Sequence, residues 1–163
     1  MTFYDFKPLD IEGREFDLSR YRNKVVMIVN IASNCAFTYQ LAELEALYKD
    51  LKTKHPDEVE FIAFPCYQFG HSEPPTEQEI QTFRAINYGV SFTILGKTDV
   101  NGDKAAPLYQ WMKREMPGFM CSTRVKWNFE KFVIDRHGTV ERRFASELRP
   151  ELLKPAILKA LQG

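Results

Sequence analysis

Val25-Val-Met-Ile-Val-Asn30-Ile-Ala-Ser-Asn-Cys35-Ala-Phe-Thr38 is the stretch whose reading decides the fold. Val25 to Ile31 is an almost unbroken apolar run rich in β-branched residues, which suits a strand buried on both faces in the middle of an α/β sheet. Small polar residues, Ala32-Ser33-Asn34, lead from it into Cys35. Apolar residues then recur at Leu41, Leu44, Leu47, Tyr48 and Leu51, a helical spacing. Cys35 therefore sits where a buried strand ends and a helix begins, the sheet edge at which α/β proteins place their chemistry. Two readings stand side by side at this point. Helix N-terminal amides favour a thiolate, while a free cysteine is also commonly a small buried core residue.

Outward from this stretch the pattern continues. Val59 to Phe64 reads as a second buried strand closed by Pro65, which completes a strand-helix-strand unit. The irregular loop Cys66 to Pro75 then leaves the same edge of the sheet as Cys35. Thr76-x-x-Glu79 is a capping box that opens a helix to about Tyr88, with Ile80, Phe83 and Ile86 facing inward and Gly89 stopping it. Upstream, Phe6 to Asp17 predicts a small hairpin around Ile11-Glu12-Gly13, and Asp17-Leu18-Ser19 a helical turn. Asp99-Val-Asn-Gly-Asp103 lacks the later glutamate of a calcium loop and reads as a plain turn. Pro107 starts a helix carrying Leu108, Trp111 and Met112. Pro117 to Arg124 is a loop holding Cys121. Lys131 to Asp135 and Thr139 to Phe144 form a hairpin, and Pro155 kinks or delays a final amphipathic helix over Pro150 to Leu161. The order predicts one α/β domain over residues 1–163: a thioredoxin-like fold with an N-terminal β-hairpin and a central mixed sheet flanked by helices.

A chain of 163 residues is long enough for one domain with a real core. Its 22 basic and 22 acidic residues cancel, and no charge run points to nucleic acid. No apolar segment is long enough to span a bilayer, and Met1-Thr-Phe-Tyr-Asp-Phe6 lacks the regions of a signal peptide. The expectation is a cytoplasmic protein without stable membrane insertion. Three cysteines with no Cys-x-x-Cys pair fit free thiols in a reducing compartment. His55, His71 and His137 are scattered, so no metal site is expected.

Three segments carry a resemblance: Val29-Asn-Ile-Ala-Ser-Asn-Cys35-Ala-Phe-Thr38, Phe64-Pro-Cys-Tyr-Gln68-Phe-Gly70 and Lys126-Trp127-Asn128-Phe129. With Asn87-Tyr-Gly-Val-Ser-Phe92 and Asp99-Val-Asn-Gly-Asp103 they resemble the glutathione peroxidases, in the family's order and over essentially the whole chain. The resemblance implies a thiol peroxidase that reduces hydrogen peroxide and organic or lipid hydroperoxides. Cys35 would be the peroxidatic residue, with Gln68, Trp127 and Asn128 as its partners. It implies no cofactor and no metal, only a thiol co-substrate, glutathione or thioredoxin. The short loop between Gly118 and Trp127 is similar to that of the family's compact members, which are mostly monomers, with a dimer the secondary expectation. The residue chemistry agrees. Cleaving an O–O bond needs a thiolate and a donor for the leaving alkoxide, and the Gln68 and Asn128 amides and the Trp127 indole are neutral donors. Taken singly, Trp127 also suits a core, Gln68 a loop tie and Asn128 a turn.

The departures from the pattern matter as much. Many cysteine-containing members carry a resolving cysteine on the second helix, and here Glu79-Ile-Gln-Thr-Phe-Arg84 places Arg84 there. Cys66 reads as a buried structural thiol, and Cys121 as an incidental loop thiol or, if its loop moves to the site, the resolving residue. The expected cycle uses one cysteine, its sulfenic acid reduced by an external thiol. Tyr39 stands where the family has proline and Tyr67 where it has asparagine. Tyr39, Tyr67 and Arg84 are therefore candidate residues of the substrate rim. Two further readings are a redox relay passing oxidation from Cys35 to a partner protein, and a specialised peroxidase acting on one metabolite.

Overall fold

A computed structural model describes residues 1–33, 38–69 and 75–163. Strand β1 (Val25–Ile31) is buried along its whole length. It pairs in parallel with β2 (Val59–Pro65), Val25 opposite Val59 and Ile31 opposite Pro65. Helix α1 (Gln40–Lys54) joins them, as the repeat of Leu44, Leu47 and Leu51 predicts. On the other side β1 pairs antiparallel with β4 (Lys131–Ile134), which pairs with β5 (Val140–Phe144).

A two-residue strand, β3 (Thr93–Ile94), adds to the far edge of β2. The described residues thus form a mixed five-stranded sheet in the order β3-β2-β1-β4-β5. β3 is not anticipated from the sequence, because two residues carry no alternation to read.

Alternate residues of β1 feed two cores. Val26 and Ile28 pack with Phe3, Tyr109, Trp111 and Phe132, whereas Val25, Met27, Val29 and Ile31 pack with Leu44, Leu51, Phe61 and Ile157. Burial on both faces explains the unbroken apolar run, since each such side chain contributes about 1.5–3 kcal/mol. Helix α2 (Glu77–Gly89) carries the expected capping box, with Glu79 N–H donating to Thr76 Oγ1 at 3.1 Å and Thr76 N–H donating to Glu79 Oε1 at 3.1 Å. Pro107 opens α3 (Pro107–Glu115). Pro155 delays the last helix: a 3-10 turn over Pro150–Leu153 precedes α4 (Lys154–Gln162).

The N-terminal hairpin is a tight turn closed by a single antiparallel bridge, Leu9 to Glu15. Asp10 Oδ1 accepts the N–H groups of Glu12 and Arg14, each at 2.9 Å. The hairpin covers the β3 edge through Gly96 N–H, which donates to Leu9 O at 2.9 Å. Gly96 permits that approach, since a Cβ there would lie 2.6 Å from Asp10 O.

Candidate active site

The carboxyl ends of β1 and β2 lie side by side, and Cys66 N–H donates to Ile31 O at 3.0 Å. Gln68 leaves this edge two residues later. Its Oε1 accepts the N–H of Val100 at 2.7 Å and of Asn101 at 3.1 Å, and its Nε2 donates to Asn101 O at 2.9 Å. Cys66 Sγ lies 3.7 Å from the same Oε1. The Asp99–Asp103 segment, expected as a plain turn, is therefore an anchored loop with Val100 and Asn101 buried.

Asn101 carries the connection onward. Its Nδ2 donates to Val125 O at 2.7 Å, and Val125 N–H donates to its Oδ1 at 2.9 Å. Lys113 Nζ reaches the same Oδ1 at 3.2 Å and Val100 O at 2.5 Å. Burial pushes the Lys113 ammonium below its ordinary value. Gln68 thus supports the approach to Trp127, two residues beyond Val125.

Trp127 and Asn128 are placed by β1. Asn30, fully buried in that strand, donates through Nδ2 to Trp127 O at 3.1 Å, and its own carbonyl accepts Phe129 N–H at 2.7 Å. Phe129 takes a left-handed backbone, φ 65°, an unusual state for a bulky residue and one that turns the chain sharply before β4. The indole of Trp127 stays 41% exposed and lies 5.6 Å from the Phe69 ring, centroid to centroid. Asn128 is fully buried, and neither Nδ2 nor Oδ1 has a hydrogen-bond partner among the described residues. Buried amides are seldom left so, because an unmatched polar group costs about 1–3 kcal/mol. Cys35 itself lies outside the described residues.

Of the three rim residues, Tyr67 and Arg84 line one cavity and Tyr39 does not. Tyr67 is buried, edge-on to Phe83 at 5.4 Å. Tyr39 is half-exposed at the start of α1. Cys66 is buried, as expected, and Cys121 is exposed. Cys121 closes a 3-10 turn over Phe119–Cys121 in which Met120 and Cys121 both have positive φ, 56° and 59°. That loop is held at its two ends by Arg143, which donates to Met116 O at 3.0 Å and to Arg124 O at 2.9 Å.

The residues that place the site but escape a sequence reading are Asn30, Asn101, Lys113 and Arg143. One signal was available for Asn30, a lone amide inside an apolar strand, where burial demands partners. Among the described residues no group of three His, Cys, Asp or Glu side chains stands ready for a metal ion. No helix there is long and apolar enough to cross a membrane.

The chain is similar to known proteins along its length. The family model described as glutathione peroxidase matches residues 3–113. Glutathione peroxidase-like peroxiredoxin HYR1 of Saccharomyces cerevisiae is 44% identical over 160 residues, covering 98% of this chain and 96% of that protein. A glutathione peroxidase of Lactococcus lactis is 44% identical over 161 residues, 99% of this chain and 100% of that protein. A crystal structure of Trgpx in its apo form superposes with a TM-score of 0.85 at 44% identity, over 100% of this chain and 97% of that one. A mixed sheet flanked by helices is thus shared with relatives along the whole chain, which belongs to the glutathione peroxidase family.

Proposed function

We propose that the chain is a thiol peroxidase that uses Cys35 as nucleophile and Gln68, Trp127 and Asn128 as its neutral partners. The Cys35 thiolate attacks the distal oxygen of a hydroperoxide. An S–O bond forms and the O–O bond breaks, the sulfur giving up two electrons, and the alkoxide leaves as the alcohol after taking a proton. The sulfenic acid then condenses with a reducing thiol, releasing water, and a second thiol frees Cys35 from the mixed disulfide. The observation that carries this reading is the Asn128 amide, wholly buried and without a partner among the described residues. A donor held in that state beside Trp127 suits a charge that appears only during reaction.

The relatives' names support a hydroperoxide substrate and a thiol reductant, and we infer glutathione or thioredoxin as that reductant. Hydrogen peroxide and organic or lipid hydroperoxides are the substrates of this reading, and a compact, mostly monomeric cytoplasmic enzyme is its setting. Arg84 on α2 supports a cycle with one reacting cysteine. Cys121 is the alternative resolving thiol, because it is exposed, whereas Cys66 is buried. The same feature favours a relay as second reading, since a sulfenic acid with no neighbouring thiol on α2 lives longer.

Coupled peroxide turnover with glutathione against thioredoxin tests all of this on wild type, Cys35→Ser and Cys121→Ser. Cys35→Ser abolishes turnover with either donor, and turnover surviving that change overturns the mechanism. Selective loss of thioredoxin-linked turnover in Cys121→Ser identifies Cys121 as the resolving thiol. Intact mass after one equivalent of peroxide distinguishes a Cys35–Cys121 disulfide from a one-cysteine cycle. A Cys35-dependent adduct with a partner protein, together with slow turnover, identifies the relay.

A further inference from the structure

Arg84 and Lys97 stand on the wall of one cavity, of about 280 Å³, that the peroxide chemistry above does not use. Its other described lining residues are apolar or glycine, Tyr67, Ile80, Phe83 and Ile94 among them, and none of them is a carboxylate. The volume equals roughly nine water molecules at about 30 Å³ each. It falls near the lower end of small-ligand pockets, about 300–1,000 Å³.

We propose that this cavity, between α2 and β3, binds a short-chain anionic amphiphile. The alkyl chain lies against Ile80, Phe83 and Ile94, and the carboxylate meets the Arg84 guanidinium. The charge pattern carries the choice of ligand. Arg84 makes no ion pair or hydrogen bond among the described residues. Among the described residues, Glu79 caps α2 through Thr76, while Asp10 and Glu12 pair with Arg14. Lys97 Nζ lies 5.8 Å from the centre of the Tyr67 ring, which places its charge at the cavity wall. An arginine without a carboxylate partner presents a planar pair of donors to a bound anion. The apolar wall beneath it favours a ligand with a hydrocarbon tail over a bare anion.

The proposal does not rest on the reactivity of Cys35, and its test uses unoxidised ligands. Calorimetric titration of the full, reduced chain with decanoate, decanol and decyltrimethylammonium, below their aggregation concentrations, measures the selectivity. Decanoate is expected to bind saturably at one site, about tenfold tighter than decanol, with the cation weakest. Arg84→Gln removes that tenfold preference and leaves decanol binding in place; one factor of ten corresponds to about 1.4 kcal/mol. Methyl NMR of the wild type locates the site, with decanoate shifting Ile80 and Ile94 together. Equal binding of the three ligands, absence of saturable binding, an unchanged decanoate affinity in Arg84→Gln, or methyl shifts confined to other isoleucines would each overturn it.

Discussion

Gln68 and Asn101 hold each other through reciprocal hydrogen bonds: Gln68 Nε2 donates to Asn101 O at 2.9 Å, and Asn101 N–H donates to Gln68 Oε1 at 3.1 Å. A side chain read from the sequence as a partner of Cys35 is thereby also the tie for the Asp99–Asp103 loop, whose Asn101 holds Val125. Gln68→Ala removes the three hydrogen bonds to the Val100–Asn101 backbone and is expected to destabilise the fold by about 1–3 kcal/mol as well as lower turnover. Gln68→Glu keeps the acceptor but turns a carboxylate oxygen toward Asn101 O, and is expected to recover only part of that loss. Chemical denaturation of both variants, read beside peroxide turnover, checks this. An unchanged midpoint in Gln68→Ala would show that the tie contributes nothing.

Asn128 should behave in the opposite way. Its amide makes no hydrogen bond among the described residues, so the apolar near-isostere Asn128→Leu removes no bond. Stability is expected to stay level or rise by up to about 1 kcal/mol. Turnover is expected to fall by about 10²–10³-fold, the usual effect of removing a donor to a developing oxyanion. A clear loss of stability with turnover intact would make the amide structural instead.

Arg143 and Glu130 form a buried ion pair, Nε to Oε1 at 3.1 Å, with 3% and 8% of their side chains exposed. Arg143→Met strands the Glu130 carboxylate and is expected to cost about 3–5 kcal/mol. It also releases the Met116 and Arg124 carbonyls that hold the loop carrying Cys121. Alkylation of Cys121, measured in a Cys35→Ser background under native conditions, is expected to speed up severalfold. An unaltered rate would mean that the loop is held by other contacts.

Lys131 is fully buried, and its Nζ donates to Ser146 O at 3.0 Å and Leu148 O at 2.7 Å. Burial pushes its ammonium from the ordinary 10.5 down to about 8. Between those two values the unfolded chain holds a proton that the folded chain has released, so the contribution of Lys131 to stability rises with pH there and is flat below. From pH 7.5 to 9.5 the wild type is expected to gain about 2 kcal/mol relative to Lys131→Met. Urea denaturation of the pair at both pH values measures the difference, in which other titrations largely cancel. A difference that shrinks on going to high pH would contradict the sign.

Local pattern alone determined the frame. The β-branched run Val25–Ile31, the helical spacing from Leu41 to Leu51, the Thr76–Glu79 capping box and the prolines at 107 and 155 each act within a few residues, where sterics and hydrogen bonding are set by the neighbouring chain. The family motifs around Cys35, Gln68, Trp127 and Asn128 were legible for the same reason, each being a short contiguous segment. Only the tertiary structure decided what joins them. Asn30 meets Trp127 across 97 positions, Gln68 meets Asn101 across 33, and Arg143 holds a loop 19 to 27 residues away. Such pairs leave no periodic trace, because each partner satisfies an ordinary local role until the sheet brings the two together. The two-residue strand β3 and the cavity beside it belong to the same class: β3 forms by pairing with β2, and the cavity is lined both by Ile11 of the hairpin and by Ile80 and Phe83 of α2, which no single segment specifies.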